Sequence, residues 1–511
     1  MRGKDLEHEG GERGEWREGN STQRRRGVKV LNKIYNQYLL QGTLTQVLAG
    51  FPRLHAQAVL RPVRSRLPSH HVIMPPMRRQ RPRFRPVYLL VVPVVCLVAF
   101  LVYNIPFVHE KLSWRLDELR TRIFYAINPP QEVVFVPQEA ATTPQASSTP
   151  EPSATPQLTP TATPTLAGPT RTFTPVPTDT PTPTPLPQSV RLKGIRHEYQ
   201  KWNNCGPANL SMALSFWDWQ GDQLDVAGVV KPNSRDKNVM PYEMETFVEQ
   251  QPGLQALVRL GGDVDMVKRL LAAGFPVLIE KGFEGDSFDG WMGHYEVISG
   301  YDDAQQKFWV YDSYVGPDYD FTIDYETVLR NWRAFNYTYL VIYPTERETE
   351  VLSLLGAQAD ETYNFQYAAQ LASDEIYALT GRDQYFAWYN RGSSLVKLQD
   401  FAGAAEAYDQ AFLLYAEIPE DLRPWRMLWY QTGPYFAYYY AGRYYDVIAL
   451  ATSTIGQTEE PAFEETWYWR GMAKLALGDS AGAIEDFQTS LKWHPAFEPS
   501  VYQLSLLGIE P

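Results

Sequence analysis

The sequence of 511 residues predicts an α+β domain followed by an all-α region of helical repeats, both placed behind one N-terminal transmembrane helix. Three observations support this order. An uncharged apolar run of 22 residues, 87–108, is long enough to cross a bilayer. Residues 189–346 alternate strand-like and helix-like patterns, and residues 354–511 carry a helical pattern that repeats.

Residues 1–86 form a basic arm, which we predict to be disordered and cytoplasmic. They contain 18 Lys and Arg residues against 6 Asp and Glu residues, although the whole chain has a net charge of −12. The rest of the chain is therefore strongly acidic, which argues against nucleic acid as a partner, because phosphate contacts need clustered basic side chains. Met74 and Met77 lie close to the arginines that end the arm, so the sequence leaves the start codon open between Met1, Met74 and Met77.

The apolar run reads VYLLVVPVVCLVAFLVYNIPFV, and five arginines lie within the ten residues before it. By the positive-inside rule the N-terminus stays in the cytoplasm and the following domains are outside. The run lacks the Ala-x-Ala cleavage site of a signal peptide, so we expect an uncleaved signal anchor. The predicted location is the cell membrane, crossed once, with extracytoplasmic C-terminal domains.

Two segments connect the predicted anchor to the domains. Residues 109–136 include an amphipathic helix at the membrane face, with Leu112, Leu116, Leu119 and Ile123 at helical spacing. Residues 137–188 are a predicted stalk, because Pro and Thr supply 28 of the 47 residues from 141 to 187. Such a composition favours extended polyproline II, and we expect it to lift the domains away from the lipid.

Cys205 is one of two cysteines in the chain, and the other, Cys96, lies in the apolar run. These positions argue against an intramolecular disulfide and a cysteine-rich zinc site; no metal or nucleotide motif stands out, so no cofactor is expected. Cys205 is then either a small buried hydrophobe or a nucleophile. It precedes a helix whose first turn holds Pro207, and the helix dipole is expected to lower the thiol pKa. The polar neighbours Asn203 and Asn204 favour the nucleophile.

A nucleophilic thiol needs a base, and the base needs an orienting group. His294 opens the segment HYEVISGYDD, which is followed by AQQKFWVYDSYVG, and both read as strands of one hairpin. If Tyr301 pairs with Lys307, His294 and Asp312 fall on one face as diagonal neighbours, close enough for the carboxylate to hold the imidazole. The alternative is a half-buried histidine on an edge strand, with Asp312 capping a turn.

An acyl-transfer site also needs donors for the oxyanion. Gln200 lies five residues before Cys205, and its side-chain amide could act with the backbone N–H of Cys205. The alternative is an ordinary surface glutamine.

The stretches YQKWNNCGPANLSMAL, GHYEVISGYDD and VYDSYVGPD resemble the C39-like branch of the papain-fold cysteine peptidases. The resemblance implies a papain-like α+β domain over residues 189–346 and a peptide or protein substrate. It implies four roles: nucleophile Cys205, base His294, orienting carboxylate Asp312 and oxyanion donor Gln200. Peptidases fused to bacteriocin exporters differ by one more residue between the glutamine and the cysteine, and by a proline in the place of Ser313.

Two segments of the C-terminal region share a spacing pattern. Small and aromatic residues follow a glycine at offsets of 12, 16 and 19 in both: Ala404, Tyr408 and Ala411 after Gly392, and Ala483, Phe487 and Ser490 after Gly471. Stacked helical hairpins need small residues where their helices touch and an aromatic side chain between them. These segments resemble tetratricopeptide repeats, which implies a protein partner, whereas a middle unit near YQTGPYFAYYYAGRYYDVIALA fits less well.

Together these features predict a membrane-anchored, extracytoplasmic cysteine hydrolase of the peptidase type, with repeats that bind protein. Two alternatives stay open: a catalytically silent surface scaffold, and an acyl transferase of the transglutaminase-like kind. A Cys205 sulfur within about 4 Å of a His294 ring nitrogen, in an open groove, favours the enzyme. A groove filled by Trp202 or Trp291 favours the scaffold.

Overall fold

The computed structural model describes residues 185–510 except 234, 286–289 and 315–319, together with residues 132–138 and scattered positions between 94 and 127. The predicted basic arm, residues 87–93 of the predicted anchor and residues 139–184 of the predicted stalk lie outside the described residues. The chain divides into two units, residues 1–106 and 107–511. In the first unit the described positions from Val94 to Tyr103 are helical. None of the described helices combines the length and the apolar character that a bilayer crossing needs.

In the described part of the second unit, seven strands form one antiparallel sheet: β1 Ser189–Arg191, β2 Leu254–Arg259, β3 Val277–Glu284, β4 Trp291–Asp302, β5 Lys307–Tyr311, β6 Asp320–Asp324 and β7 Tyr339–Pro344. The strand order is β2-β7-β3-β4-β5-β6, and β1 pairs with the end of β4. β4 lies between β3 and β5. His294 is therefore on a central strand and not on an edge.

Helices cover both faces of this sheet. Three pack on one face, α1 Cys205–Ser215, α2 Gln223–Val230 and α3 Pro241–Glu249, and two on the other, α4 Val264–Ala272 and α5 Tyr325–Trp332. Because both faces are covered, successive residues of a strand are buried, as in the first six residues of β3. The predicted α+β architecture is confirmed.

The hairpin of β4 and β5 differs from the predicted register at its turn. Lys307 pairs with Asp302 and not with Tyr301. A β-bulge at Ser299 then adds one residue to β4, and beyond the bulge the strands pair in the expected register. A one-residue slip without the bulge would have turned His294 to the opposite face of the sheet.

The helical region follows β7. Its described helices are α6 Glu348–Leu355, α7 Glu361–Ala378, α8 Gly381–Lys397, α9 Phe401–Glu417, α10 Met427–Tyr430, α11 Gly433–Tyr440, α12 Tyr444–Gly456, α13 Glu464–Ala476, α14 Ser480–Trp493 and α15 Glu498–Leu506. The two predicted repeats are the packed pairs α8–α9 and α13–α14. In each pair an aromatic ring lies against the glycine of the first helix. A Cβ on Gly392 would lie 2.8 Å from the ring of Tyr408, and one on Gly471 2.7 Å from the ring of Phe487.

The helical region packs on the α+β domain of the same chain. Asn336 donates from Nδ2 to the carbonyl of Asn390 at 3.3 Å and to Ser394 Oγ at 2.8 Å, both on α8. Trp291 of β4 stacks on Phe386 with ring centroids 6.0 Å apart. Part of the repeat surface, which the sequence analysis expected to meet another protein, is therefore occupied within the chain.

A cavity of about 40 Å³ in this interface is lined by four carboxyl groups: Asp236 and Glu243 from the α+β domain, and Glu464 and Glu465 from α13. Burial raises the pKa of Asp236 to about 7, and the charge of Glu464 adds to this effect. Burial also raises the pKa of Glu243 well above its usual range. The described positive groups that act on Asp236 are Lys231, Lys237 and His494. The interface is therefore formed with more bound protons than the separated carboxyl groups would hold at neutral pH.

We expect Gly471→Ala to lower the free energy of unfolding by about 1–3 kcal/mol, because the new Cβ would meet both the Phe487 ring at 2.7 Å and the Ala483 carbonyl at 3.2 Å. The matched control is Gly228→Ala within α2, where no heavy atom lies within 4 Å of the added Cβ. The control should stabilise by about 0.5–1 kcal/mol because alanine is the better helix former. Urea unfolding measures both, and equal effects of the two variants would contradict the packing described for the repeat.

We expect stability to fall as pH rises from about 4 to about 8. A carboxyl group whose folded pKa is raised stabilises the fold fully below its unfolded pKa, and this contribution is lost as pH rises through the folded pKa, about 7 for Asp236. Asp236→Asn should reduce the slope by up to about 1.4 kcal/mol per pH unit in this window. Urea unfolding at a series of pH values measures it, with Asp265→Asn, whose side chain is 78% exposed, as the control. An unchanged slope in Asp236→Asn would refute the assignment.

Candidate active site

Cys205 is the first residue of α1, where its thiol lies close to the backbone N–H groups of Gly206 and Tyr295. The turn before the helix is built by Asn203, which has a positive φ of 54°, a conformation that asparagine tolerates better than most residues. The helix start and the position of the cysteine agree with the sequence prediction. The thiol therefore lies beside Tyr295 of β4, the residue that directly follows His294.

The prediction of a lowered thiol pKa is wrong. Burial raises the pKa of Cys205 to about 11, and the opposing effects of the Gly206 N–H and of Lys231 are smaller. The residue as a whole is still partly exposed, but the sulfur itself is surrounded by protein. The resting form at neutral pH is therefore the thiol, because desolvation of the anion outweighs the positive end of the helix.

His294 and Asp312 are joined by a hydrogen bond of 2.9 Å between Nε2 and Oδ1. Both side chains are buried, with 2% and 0% of the residue exposed. The bond occupies Nε2, and no hydrogen bond to Nδ1 is found among the described residues. The imidazole is thus held by one nitrogen, with the other unengaged.

Asp312 also caps the turn that follows β5. Its Oδ1 accepts from the backbone N–H of Tyr314 at 2.7 Å, so both roles that the sequence left open are present in the structure. Burial alone would raise the pKa of Asp312, but the charges of His294 and Lys281, with the hydrogen bonds that Asp312 accepts, hold it well below its usual range. The carboxylate is therefore charged throughout the physiological pH range.

Two buried charged residues on the same face were missed by the sequence analysis. Lys281 of β3 contacts Asp312 Oδ2 from Nζ at 3.2 Å and also forms a close ion pair with Glu296 of β4. Burial raises the pKa of Glu296 to about 7, against the opposing charge of Lys281. A signal was present in the sequence, because Lys281 and Glu296 are charged residues inside largely apolar strands.

Gln200 is held beside the end of β5. Its backbone N–H donates to the carbonyl of Ser313 at 2.9 Å, and its Oε1 accepts from Ser313 Oγ at 2.9 Å. Asn209 of α1 donates from Nδ2 to Ser313 Oγ and to the carbonyl of Cys205. The hydroxyl of Ser313 thus connects Gln200 to the cysteine helix. The amide nitrogen of Gln200 makes no hydrogen bond to another described residue.

The structure brings His294 and Asp312 into contact and places Gln200 next to Ser313. No hydrogen bond joins Cys205 to His294 in the described part of the chain. Successive side chains of a strand point to opposite faces, and a Cβ on Gly206 would lie 3.5 Å from the ring of Tyr295. The start of α1 therefore lies on the side of β4 to which Tyr295 points.

Other polar and aromatic groups surround these residues. Phe283 and Tyr314 flank the His294 ring, with centroids 5.0 and 6.2 Å from it. His197 Nε2 lies 3.0 Å from the carbonyl oxygen of Asp312. Burial raises the pKa of Glu280, whose charge acts on Cys205, to about 8.

No group of three or more His, Cys, Asp or Glu side chains arranged to hold a metal occurs among the described residues.

Comparison with known proteins finds a matching family model for each of the two parts of the chain. Residues 192–340 match the family model described as Peptidase_C39 like family, and this range includes all four candidate site residues. Residues 387–417 and 464–497 match the tetratricopeptide repeat model. The crystal structure of a proposed C39-like peptidase from Bacillus anthracis is similar at 16% identity, over 30% of this chain and 97% of that chain, with a TM-score of 0.25. No curated protein matches the chain.

We expect Lys281→Met to lower the free energy of unfolding by about 3–5 kcal/mol, because it leaves Glu296 and Asp312 buried on one face without their shared cation. The double variant Lys281→Met/Glu296→Gln should recover part of this loss, since it removes one of the two carboxylates. Denaturant unfolding measures the cycle.

The control is Lys268→Met, which removes a partly exposed ion pair to Asp303 of 2.7 Å and should cost about 0–1 kcal/mol. If the two lysine variants cost the same, the buried network does not have the role assigned to it.

Proposed function

We propose that this chain is a membrane-anchored, extracytoplasmic cysteine hydrolase that cleaves a peptide or isopeptide bond, with Cys205 as its nucleophile. The observation that carries the proposal is the 2.9 Å bond from His294 Nε2 to Asp312, which fixes the imidazole on the strand that borders the thiol. The family match over residues 192–340 agrees with it. The anchor and the location rest on the apolar run 87–108 and on the arginines before it.

In the proposed reaction the thiol proton moves to His294 Nδ1, and the thiolate attacks the carbonyl carbon of the substrate. This step requires the sulfur to lie within about 4 Å of Nδ1. Asp312 stabilises the imidazolium that forms, because its carboxylate is charged and accepts from Nε2.

The tetrahedral intermediate carries a negative oxygen that needs donors. The Cys205 backbone N–H and the unengaged amide nitrogen of Gln200 supply them in this proposal. His294 returns its proton to the leaving amine as the C–N bond breaks, which leaves an acyl group on the sulfur. Water, deprotonated by His294, then hydrolyses the thioester and restores the thiol.

A catalytically silent scaffold is the second candidate, and the raised pKa of Cys205 together with the absent thiol–imidazole hydrogen bond favours it. A groove filled by Trp202 or Trp291 would also have supported the scaffold. Trp291 lies at the contact with the helical region. That ring is 4% exposed and packs against the helical region. The reactivity of the Cys205 thiol therefore decides between the hydrolase and the scaffold.

The test is labelling with an iodoacetamide probe in the Cys96→Ala background, followed by hydrolysis of a peptide library. We expect one label per chain at pH 7, none in Cys96→Ala/Cys205→Ala, and at least tenfold slower labelling after His294→Ala because the thiol loses its base. Gln200→Ala should lower kcat by about 10²–10³ and leave labelling unchanged.

The outcomes separate the candidates. Labelling that is indifferent to His294→Ala, with no turnover of any peptide, supports the scaffold and ends the hydrolase proposal. Consumption of peptide with the acyl group recovered on an added amine, and not on water, supports the acyl transferase.

A further inference from the structure

The segment Glu132–Gln138, which follows the predicted juxtamembrane helix, lies on the helical region, and residues 132–137 have no regular secondary structure. Phe135 is 8% exposed. Its ring meets Phe412 of α9 edge to face, with centroids 5.1 Å apart, and lies 6.3 Å from the ring of Tyr438 of α11. Pro137 is also buried. The aromatic side chain is thus inserted between two helices of different repeat units.

Both ends of the segment are held by polar contacts. Glu132 Oε1 accepts from Tyr415 Oη at 2.8 Å and from Arg423 Nη1 at 3.2 Å. At the other end the backbone N–H of Gln138 donates to Asp446 Oδ1 of α12 at 2.8 Å.

The protein groups that receive the segment are themselves fixed. Asp446 is 2% exposed and bonded to Arg443, which also pairs with Asp409 at 2.7 Å. The arginine that meets Glu132 is fixed as well, because Arg423 donates to the carbonyl of Ile418 at 2.8 Å. An acidic residue, an aromatic three positions later and a proline two positions after that therefore face a preformed surface.

The position of this segment in the chain changes the role that we expect for the Pro/Thr-rich stretch. Residues 139–184 separate the segment from β1 of the α+β domain. The last residue before the stretch and the first described residues after it nevertheless belong to one compact unit. A stretch whose two ends are held on the same body cannot set the distance between that body and a membrane.

We propose that residues 132–138 are an intramolecular ligand of the repeats, a tether that holds the repeats and the α+β domain at the membrane-proximal end of the chain. The predicted role of the Pro/Thr-rich stretch as the connection between anchor and domains is then taken by residues 132–138, which precede it in the chain. Because the ligand is part of the same chain, its effective concentration is on the order of millimolar, which adds to the buried aromatic and charged contacts that hold it. The tether does not depend on catalysis.

The test uses the full chain with an affinity tag at the N-terminus and a specific protease site inserted after Gly168. After complete cleavage in detergent, the C-terminal fragment should stay on the affinity resin through the tether. Phe135→Ala should release it at least tenfold faster, and so should Arg423→Leu from the opposite side of the contact. Val136→Ala is the matched control, since this neighbouring side chain is 46% exposed and should retain the fragment.

A second measurement excludes misfolding as the cause of release. A synthetic peptide of residues 131–139 should displace the wild-type fragment, whereas the same peptide with Phe135→Ala should not. Immediate separation of the wild-type fragments, or equal retention of the Phe135→Ala and Val136→Ala chains, overturns the tether. Either result leaves thiol labelling unaffected and is therefore distinct from failure of the hydrolase proposal.

Discussion

The α+β domain is organised around one buried negative charge, the carboxylate of Asp312. A carboxylate this far from water is tolerated only when its oxygens are matched by donors and positive charge. One oxygen meets His294 and the Tyr314 N–H, and the other meets Lys281. These partners come from β4, from the turn after β5 and from β3, so the charge fixes three parts of the fold against one another and sets the orientation of the imidazole.

Sequence patterns predicted the α+β domain, the repeats and the His294–Asp312 pair, because hydrophobic period and hairpin geometry are local properties. They did not predict Lys281 and Glu296, whose pairing depends on how β3 aligns with β4, or the pKa of Cys205. The helix-dipole argument gave the correct position of the thiol and the wrong direction of its pKa shift. Desolvation depends on all the groups that pack around the sulfur, and a single stretch of sequence does not contain them.

The helical region makes contacts inside the chain, in addition to the protein binding that its repeats suggest. Its α8 and its acidic cavity contact the α+β domain, and its α9, α11 and α12 receive the chain segment that enters the unit. Two described faces of the repeats are thus used inside the molecule. The helical region thus joins distant parts of one chain, which is a structural role separate from recognition of other proteins.

The bulge at Ser299 has a consequence for finding other proteins of this kind. It adds one residue to β4, so a protein with the same tip and a regular strand would bring the same two side chains together with one residue fewer between them. The sequence separation of the histidine and the aspartate, 18 positions here, is then free to vary while the distance in space stays constant. Search patterns that fix this number would overlook chains with an equivalent dyad, and patterns that allow one residue of slack would not.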